Sequence, residues 1–382
     1  MARATRGSVN TRVALNKIKL DSLPSFYYTG KEDIIPFGID NQYPQRIKGA
    51  IKSSPTSRGC AKRWAEFIFG YGSLVNPIVN RDGETLNDIL WKVIRYGYVE
   101  LYSFCLHFNY NALGQVCEIF CVKVEDVRKV RPYDTDICKV EYGIWELFGA
   151  NVLTGNHEVI NLYNRAKLRE QIIEAGGIEN YKGQCYYFTR DGEIYAESPF
   201  DVISMSAEYE REAQIYTNAN VQNGFSGTTL IKMPTFSGGE KAEKEAKKLQ
   251  EDLESTHGSA KAGSSIVVST PVNDNGTASD SKMVEHLSPA NIDGLFVNQN
   301  AQAERNILKA INMPEILLGV SSQGMFNEAS FNDAFDYKNS DSEADRKMIE
   351  REFNKFMKYS VWGIDKIEIV PLKMKKTKEN GI

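Results

Sequence analysis

Apolar positions along the chain change their period three times, and each change marks a different kind of element. Residues 44–53 have a helical pattern. Ser54 and Pro55 then supply a helix cap and a proline at the first helical position. Cys60, Ala61, Trp64, Phe67 and Ile68 recur at helical spacing until Gly70 and Gly72 stop the run. A third helix is predicted from Thr85, with Leu86, Ile89, Leu90, Val93 and Ile94 as its buried stripe.

The period then shortens. Segments 98–108, 115–124, 127–131, 137–148, 157–163 and 183–189 are rich in Val, Ile, Tyr and Phe, and turn residues separate them. Asn109–Gly114 and Thr189–Gly192 have the composition of hairpin turns. These segments predict an antiparallel sheet behind the helices, hence an α+β domain.

Helical spacing returns at 200–223, after Ser198-Pro199, with Ala207, Ala213, Ile215, Tyr216, Ala219 and Val221 as its apolar set. A short unit over 226–287 follows. It comprises a strand at Thr228–Lys232, a charged helix at Glu240–Glu254, and strands at Ser265–Ser269 and Lys282–His286. Residues 290–312 form a second long helix, comparable in length to the first. Each would extend ~30 Å at about 1.5 Å per residue, so an antiparallel pair would make a stalk with the small unit at its tip. A Pro-containing turn and the loop Gly319–Asn327 come next. Residues 328–358 read as one long helix with Met348, Ile349, Phe353, Phe356 and Met357 on one side, and 365–372 as a short strand.

Composition narrows the function. With 382 residues, 42% of them hydrophobic, the chain can bury two or three cores. A net charge of −4 and a pI near 5.8 do not suit a protein that grips nucleic acid by neutralising phosphates. Basic residues gather at the ends: Arg3, Arg6, Arg12, Lys17 and Lys19, then Lys373, Lys375, Lys376 and Lys378. The six cysteines form no C-x-x-C pair and the four histidines are scattered. Reduced, buried thiols and no zinc site are therefore expected. No apolar run is long enough for a membrane helix, and no signal-peptide pattern opens the chain, so synthesis and use in a cytoplasm are expected.

Enzyme motifs are missing. The sequence contains no phosphate-binding G-x-x-x-x-G-K-[ST] loop, no G-x-S-x-G and no H-E-x-x-H. Gly70-Tyr-Gly72 follows a helix rather than a strand, and reads as a terminator. Acidic residues mostly alternate with lysines, as on a solvated helix face. The expectation is a chain with no catalytic residues, no cofactor and no metal.

Several stretches resemble the portal proteins of tailed bacteriophages. Ser198-Pro-Phe-Asp leads into a helix ending in Val221-Gln-Asn-Gly-Phe-Ser-Gly-Thr-Thr-Leu, similar to that family's joint between its first long helix and the small unit. Leu249–Gly258 resembles the helix and turn inside that unit. Ala303–Gly319, which contains the sequence Met313-Pro-Glu-Ile-Leu-Leu-Gly319, resembles the family's R-x-x-I helix and V-P-x-x-L-L-G turn. Pro36–Pro44 and Ser54-Pro-Thr are similar to the entry of the wing. The likeness extends over about residues 30–358. A C-terminal helical crown is not evident.

The resemblance implies a wing over 1–199, a first stem helix over 200–224, a clip over 225–287 and a second stem helix over 288–312. A tunnel loop over 313–328 and a long wing helix with a terminal strand and tail over 329–382 complete it. Ser321, Ser322, Gln323, Gly324, Met325, Phe326 and Asn327 would face DNA in a channel. Clip lysines Lys241, Lys244, Lys247 and Lys248 would dock partners. Ile292, Leu295, Phe296, Ile307 and Leu308 would pack neighbouring stems together. The implied partners are further copies of the chain (twelve in the family), double-stranded DNA, the terminase, a head–tail connector and the major capsid protein. The implied place is a capsid vertex of the virion, after assembly in the host cytoplasm. The residues alone also allow an oligomeric α+β binding protein with a helical hairpin, or a nucleic-acid-processing enzyme with a degenerate site.

Overall fold

A computed structural model describes residues 35–129, 139–143, 157–190, 194–222, 228–235, 265–271, 284–287, 293–319 and 328–374. The chain opens with helices α1 (Tyr43–Ser53) and α2 (Pro55–Phe69). Ser54 caps α2 by accepting the Ser57 amide at 3.0 Å. The helix stops at Gly70, whose φ of 57° and approach to Val370 leave no room for a side chain: a Cβ would stand 2.0 Å from the Val370 carbonyl oxygen. Helix α3 (Leu86–Lys92) starts from a capping box between Thr85 and Asp88. It runs on through a π-helical stretch, Val93–Tyr98, and a last turn, Val99–Leu101.

Strands β1 (Ser103–Tyr110), β2 (Val116–Val122), β3 (Val127–Lys129), β4 (Lys139–Gly143), β5 (His157–Leu162) and β6 (Gln184–Thr189) form one sheet in the order β2-β1-β6-β5-β4-β3. Helix α4 (Leu168–Glu174) lies between β5 and β6 in the chain. The strands alternate faces as the pleat requires. On β1, Phe104, Leu106 and Phe108 enter the main core. Cys105 points to the other side, where it joins Val122, Val127, Ile160 and Cys185 in a second, smaller core.

After the sheet the chain leaves through helix α5 (Ser204–Gln222). Strands β7 (Thr228–Thr235), β8 (Ser265–Pro271) and β9 (Val284–Leu287) make a separate sheet ordered β8-β7-β9. The chain returns through helix α6 (Asp293–Ala310), then forms α7 (Glu328–Asp341) and α8 (Glu343–Met357). The return closes the main core. Ile349, Phe353, Phe356 and Met357 of α8 are fully buried. Phe356 lies 4.6 Å from Phe108, and Phe353 lies 6.1 Å from Phe104, ring centre to ring centre.

Five sequence expectations need correction. Residues 98–101 are helical rather than the start of a strand. Tyr98, Val99 and Leu101 are buried there, and that packing outweighs their β preference. The sheet is not wholly antiparallel, because β5 and β6 pair in parallel across the connection that carries α4. Helix α4 itself has no counterpart in the expected elements. The helix expected over 328–358 is two helices meeting at Ser342, beside Asn339, Ser340 and Asp341, whose short polar side chains compete with helical hydrogen bonds. In the expected strand 365–372, Ile367 and Ile369 are buried alternately, yet the segment makes only an isolated bridge, Ser73 to Ile369. The expected helix Glu240–Glu254 lies outside the described residues, as do residues 191–192 of the expected turn Thr189–Gly192.

Phe353→Ala is expected to destabilise the fold by about 3–5 kcal/mol, the range for emptying a buried phenylalanine site. Urea denaturation followed by tryptophan fluorescence measures it.

Candidate stem base and loop seat

Helices α5 and α6 share their base with α1 and α2. The two helices contact each other, α1 and α2, and three small residues on them, Ala207, Ala213 and Ala303, are buried. Small side chains allow that approach. Further along the pair, the Tyr209 hydroxyl donates to Gln299 Oε1 at 2.9 Å. The start of α5 and the end of α6 meet at the same core, so the two helices run antiparallel. At 19 and 18 residues they extend roughly 27–29 Å.

The end of α6 is held tightly. Asn312 turns the chain at φ 50°, and the Met313 amide reaches back to the Leu308 carbonyl at 2.9 Å. Pro314 and a 3-10 turn, Glu315–Leu318, follow. Leu317 is buried, and its carbonyl accepts from Arg63 Nε of α2 at 3.0 Å. Gly319 ends the turn at φ 81°.

The far side of the loop is tied to the same helix. Lys338 of α7 is 1% exposed. Its ammonium donates to the Ile311 carbonyl at 2.8 Å and to Asp341 at 2.7 Å, and stands 5.4 Å from the Trp64 ring. Such a buried charge is tolerable because two oxygens and an aromatic face surround it. Leu317 and Lys338 are thus both anchored beside α2, through Arg63 and Trp64.

Carboxylates gather beside the seat. Glu210 of α5 is buried and accepts from the Ser54 hydroxyl at 2.5 Å. Glu304 of α6 has its pKa raised, first by burial and then by the charges of Glu315 and Glu210. Burial pushes the Cys60 thiol up to about 12, so it stays protonated and packs as an apolar group. Among the described residues, no group of three or more His, Cys, Asp or Glu is placed to hold a metal ion. Nor, among those residues, is any helix long and apolar enough to cross a membrane.

The expected site residues fare unequally. Ser321–Asn327 lie outside the described residues, as do Lys241, Lys244, Lys247, Lys248 and Ile292. Leu295 and Phe296 fall on the first turn of α6. Ile307 and Leu308 correct the expectation: both are buried in the chain's own core with Ile311 and Met313, so they have no surface left for a neighbouring stem. Lys338 and Glu210 were absent from the expected set. Each is a charged residue within a polar helical stretch, where the local pattern predicts a solvated side chain.

No protein family and no curated protein matches the sequence. Solved structures do. A chain in the neck of a native gene transfer agent (GTA) particle, computed with C12 symmetry, is similar over 86% of this chain and 84% of its own, at 14% identity and a TM-score of 0.51. A chain in the virion of the native GTA particle is similar over 85% and 83%, at 14% identity and 0.50. An HK97-family phage portal protein from Corynebacterium diphtheriae covers 80% of this chain at 10% identity, with a TM-score of 0.42. The chain shares the fold of these GTA-particle chains. At these identities the likeness concerns the fold alone.

Two outcomes are expected at the base. Lys338→Met should cost about 1–3 kcal/mol by leaving the Ile311 carbonyl without its donor, and should speed hydrogen exchange of the Met313, Leu317 and Gly319 amides. Lys347→Met, at a lysine side chain 60% exposed, should do neither. The second concerns pH. A carboxyl whose pKa is raised on folding contributes stability below its ordinary value of 4.5 and loses it as pH rises through the folded value. Glu304→Gln should therefore melt above the wild type at pH 7 and with it at pH 4, by circular dichroism.

Proposed function

We propose that this chain is a portal subunit. Copies assemble into a ring at one capsid vertex, and double-stranded DNA passes through the ring during packaging and ejection. The observation that carries the reading is the return path of the chain: two antiparallel helices leave and rejoin one seat, with a small sheet unit between them, in a fold shared with a chain of a particle neck. In this reading α5 and α6 are the stem, and 225–287 is the clip. Lys241, Lys244, Lys247 and Lys248 offer the terminase and the head–tail connector a charged surface. The wing contacts the major capsid protein.

Residues 313–328 are the tunnel loop. Its hydroxyl and amide groups, on Ser321, Ser322, Gln323 and Asn327, can touch phosphates without fixed charge. That matters for a conduit. Lysines there would release counterions on each contact and hold the DNA, whereas neutral groups let it slide. The chain's modest negative charge suits passage better than grip. Its role is structural, and no reaction is assigned to it.

Electron microscopy of the purified chain tests the reading. The expected particle is a ring with a central hole and a mass of roughly half a megadalton, as a closed cyclic oligomer of about twelve copies requires. Deleting Ser321–Asn327 should leave the ring intact and reduce DNA packaging or retention. A loop found on the outer rim, away from the axis, would overturn the channel assignment.

A further inference from the structure

Cations along α8 are paired until the helix ends. Lys347 pairs with Glu350, and Arg351 and Lys355 pair with Glu352. Lys358, just past the last turn, is exposed and has no carboxylate partner among the described residues. Its ammonium stands 4.7 Å from the centre of the Tyr359 ring. The exposed Arg165 guanidinium, from the segment before α4, stands 3.8 Å from the same ring centre, and among the described residues it too has no carboxylate partner. One aromatic ring thus holds two like charges. Glu170 and Glu174, also exposed on α4, form no ion pair with either cation. Three segments meet at this clamp. The Val116 amide donates to the Tyr359 carbonyl at 3.1 Å, and the Val361 amide donates to the Val116 carbonyl at 3.0 Å. The turn between β1 and β2 reaches α4, where a side chain at Gly114 would stand 3.5 Å from Leu168. Leu113 of that turn (82%) and Val361 (43%) are exposed. Two cations bordered by two apolar side chains suit an acidic segment that also carries an apolar group.

The chain carries such a segment at the other end of α8. Helix α7 exposes Asp333, Asp336 and Tyr337 (54%). Neither aspartate pairs with a cation among the described residues. The one lysine of α7, Lys338, is buried and taken up by Asp341. Phe335 of α7 lies 5.2 Å from Phe67, and Arg346, in the first turn of α8, donates to the Phe67 carbonyl at 3.1 Å. Helix α7 therefore packs where α8 begins, and Lys358 follows where it ends. The 15 residues of α8 extend about 22 Å, too far for one subunit to bring its own aspartates to its own clamp. Unlike patches at the two ends of one element make a head-to-tail contact. Such contacts close into rings, whereas a two-fold contact would use one patch twice.

We propose that Asp333 and Asp336 of one subunit dock on Arg165 and Lys358 of the next, with Tyr337 set against Leu113 and Val361, and that this contact repeats around the ring. The partner is a second copy of this chain, so the proposal rests on the ring reading above. The charges fix direction and partner, and the apolar groups add buried surface. The contact lies away from the end of α6, where Ile307 and Leu308 are already buried.

The test is a charge swap on the full chain, read by mass photometry. One variant carries Arg165→Glu and Lys358→Glu, and the other Asp333→Lys and Asp336→Lys. Each alone should be a folded monomer, because like charges then face each other. The chain with all four substitutions should form rings again, and so should an equimolar mixture of the two variants. Damage to the fold cannot produce that rescue. A milder variant, Asp336→Asn, should raise the concentration of half assembly about two- to fivefold, the scale of one exposed ion pair. That increase should vanish at roughly 1 M salt, where charges more than about 3 Å apart are screened. Rings of wild-type stability from either double variant, or a folded four-substitution chain that stays monomeric, would overturn this contact while leaving the ring reading in place. If circular dichroism shows the four-substitution chain unfolded, an unchanged half-assembly concentration for Asp336→Asn overturns it instead. A wild-type chain that stays monomeric would overturn both readings.

Discussion

The face of the main sheet is covered by a helix that the chain supplies only at its end. Phe104 and Phe108 of β1 are sealed by Phe353 and Phe356 of α8, and between them the chain travels out and back through more than a hundred residues. Burying those rings requires that the excursion return to where it began. That requirement makes α5 and α6 an antiparallel pair. It also places the small sheet unit at their far end and brings the loop after α6 back to α2. Burial of aromatic surface is the strongest available driving force for such a closure, and offset or tilted ring contacts add to it.

The seat built on α2 follows from the same closure, with a different chemistry. Helix ends leave backbone carbonyls without partners, and burying them requires donors. Lys338 and Arg63 are those donors, for the carbonyls of Ile311 and Leu317. The two anchors come from different helices and converge on one element. The end of the Glu315–Leu318 turn is therefore set by rigid structure.

The edges of the sheet pose another constraint. An open edge invites pairing with other chains, and loop segments bond to both edges here, at Val116 and Ile119 of β2 and at Lys129 of β3.

Helix and strand patterning carried much of this architecture. Periodicity was enough to locate α1, α2, the start of α3, most strands and the two long helices, because each has one face in the core and the other outside it. The caps at Ser54 and Thr85 and the stops at Gly70 and Gly72 are local chemistry, legible without any partner. Tertiary structure decided what depends on distant residues. Tyr98–Leu101 became helical because burial outweighed intrinsic preference. The β5–β6 pair became parallel because of where the connection crosses. Ile307 and Leu308 turned inward, although an apolar stripe on a stem helix reads equally well as core or as subunit contact. Lys338 and Glu210 are buried inside helices whose local pattern predicts solvent, because the groups that stabilise their charges lie far away in the chain, at Ile311, Trp64 and Ser54. A sequence pattern records which face of an element is apolar. Only the packed fold determines what that face meets.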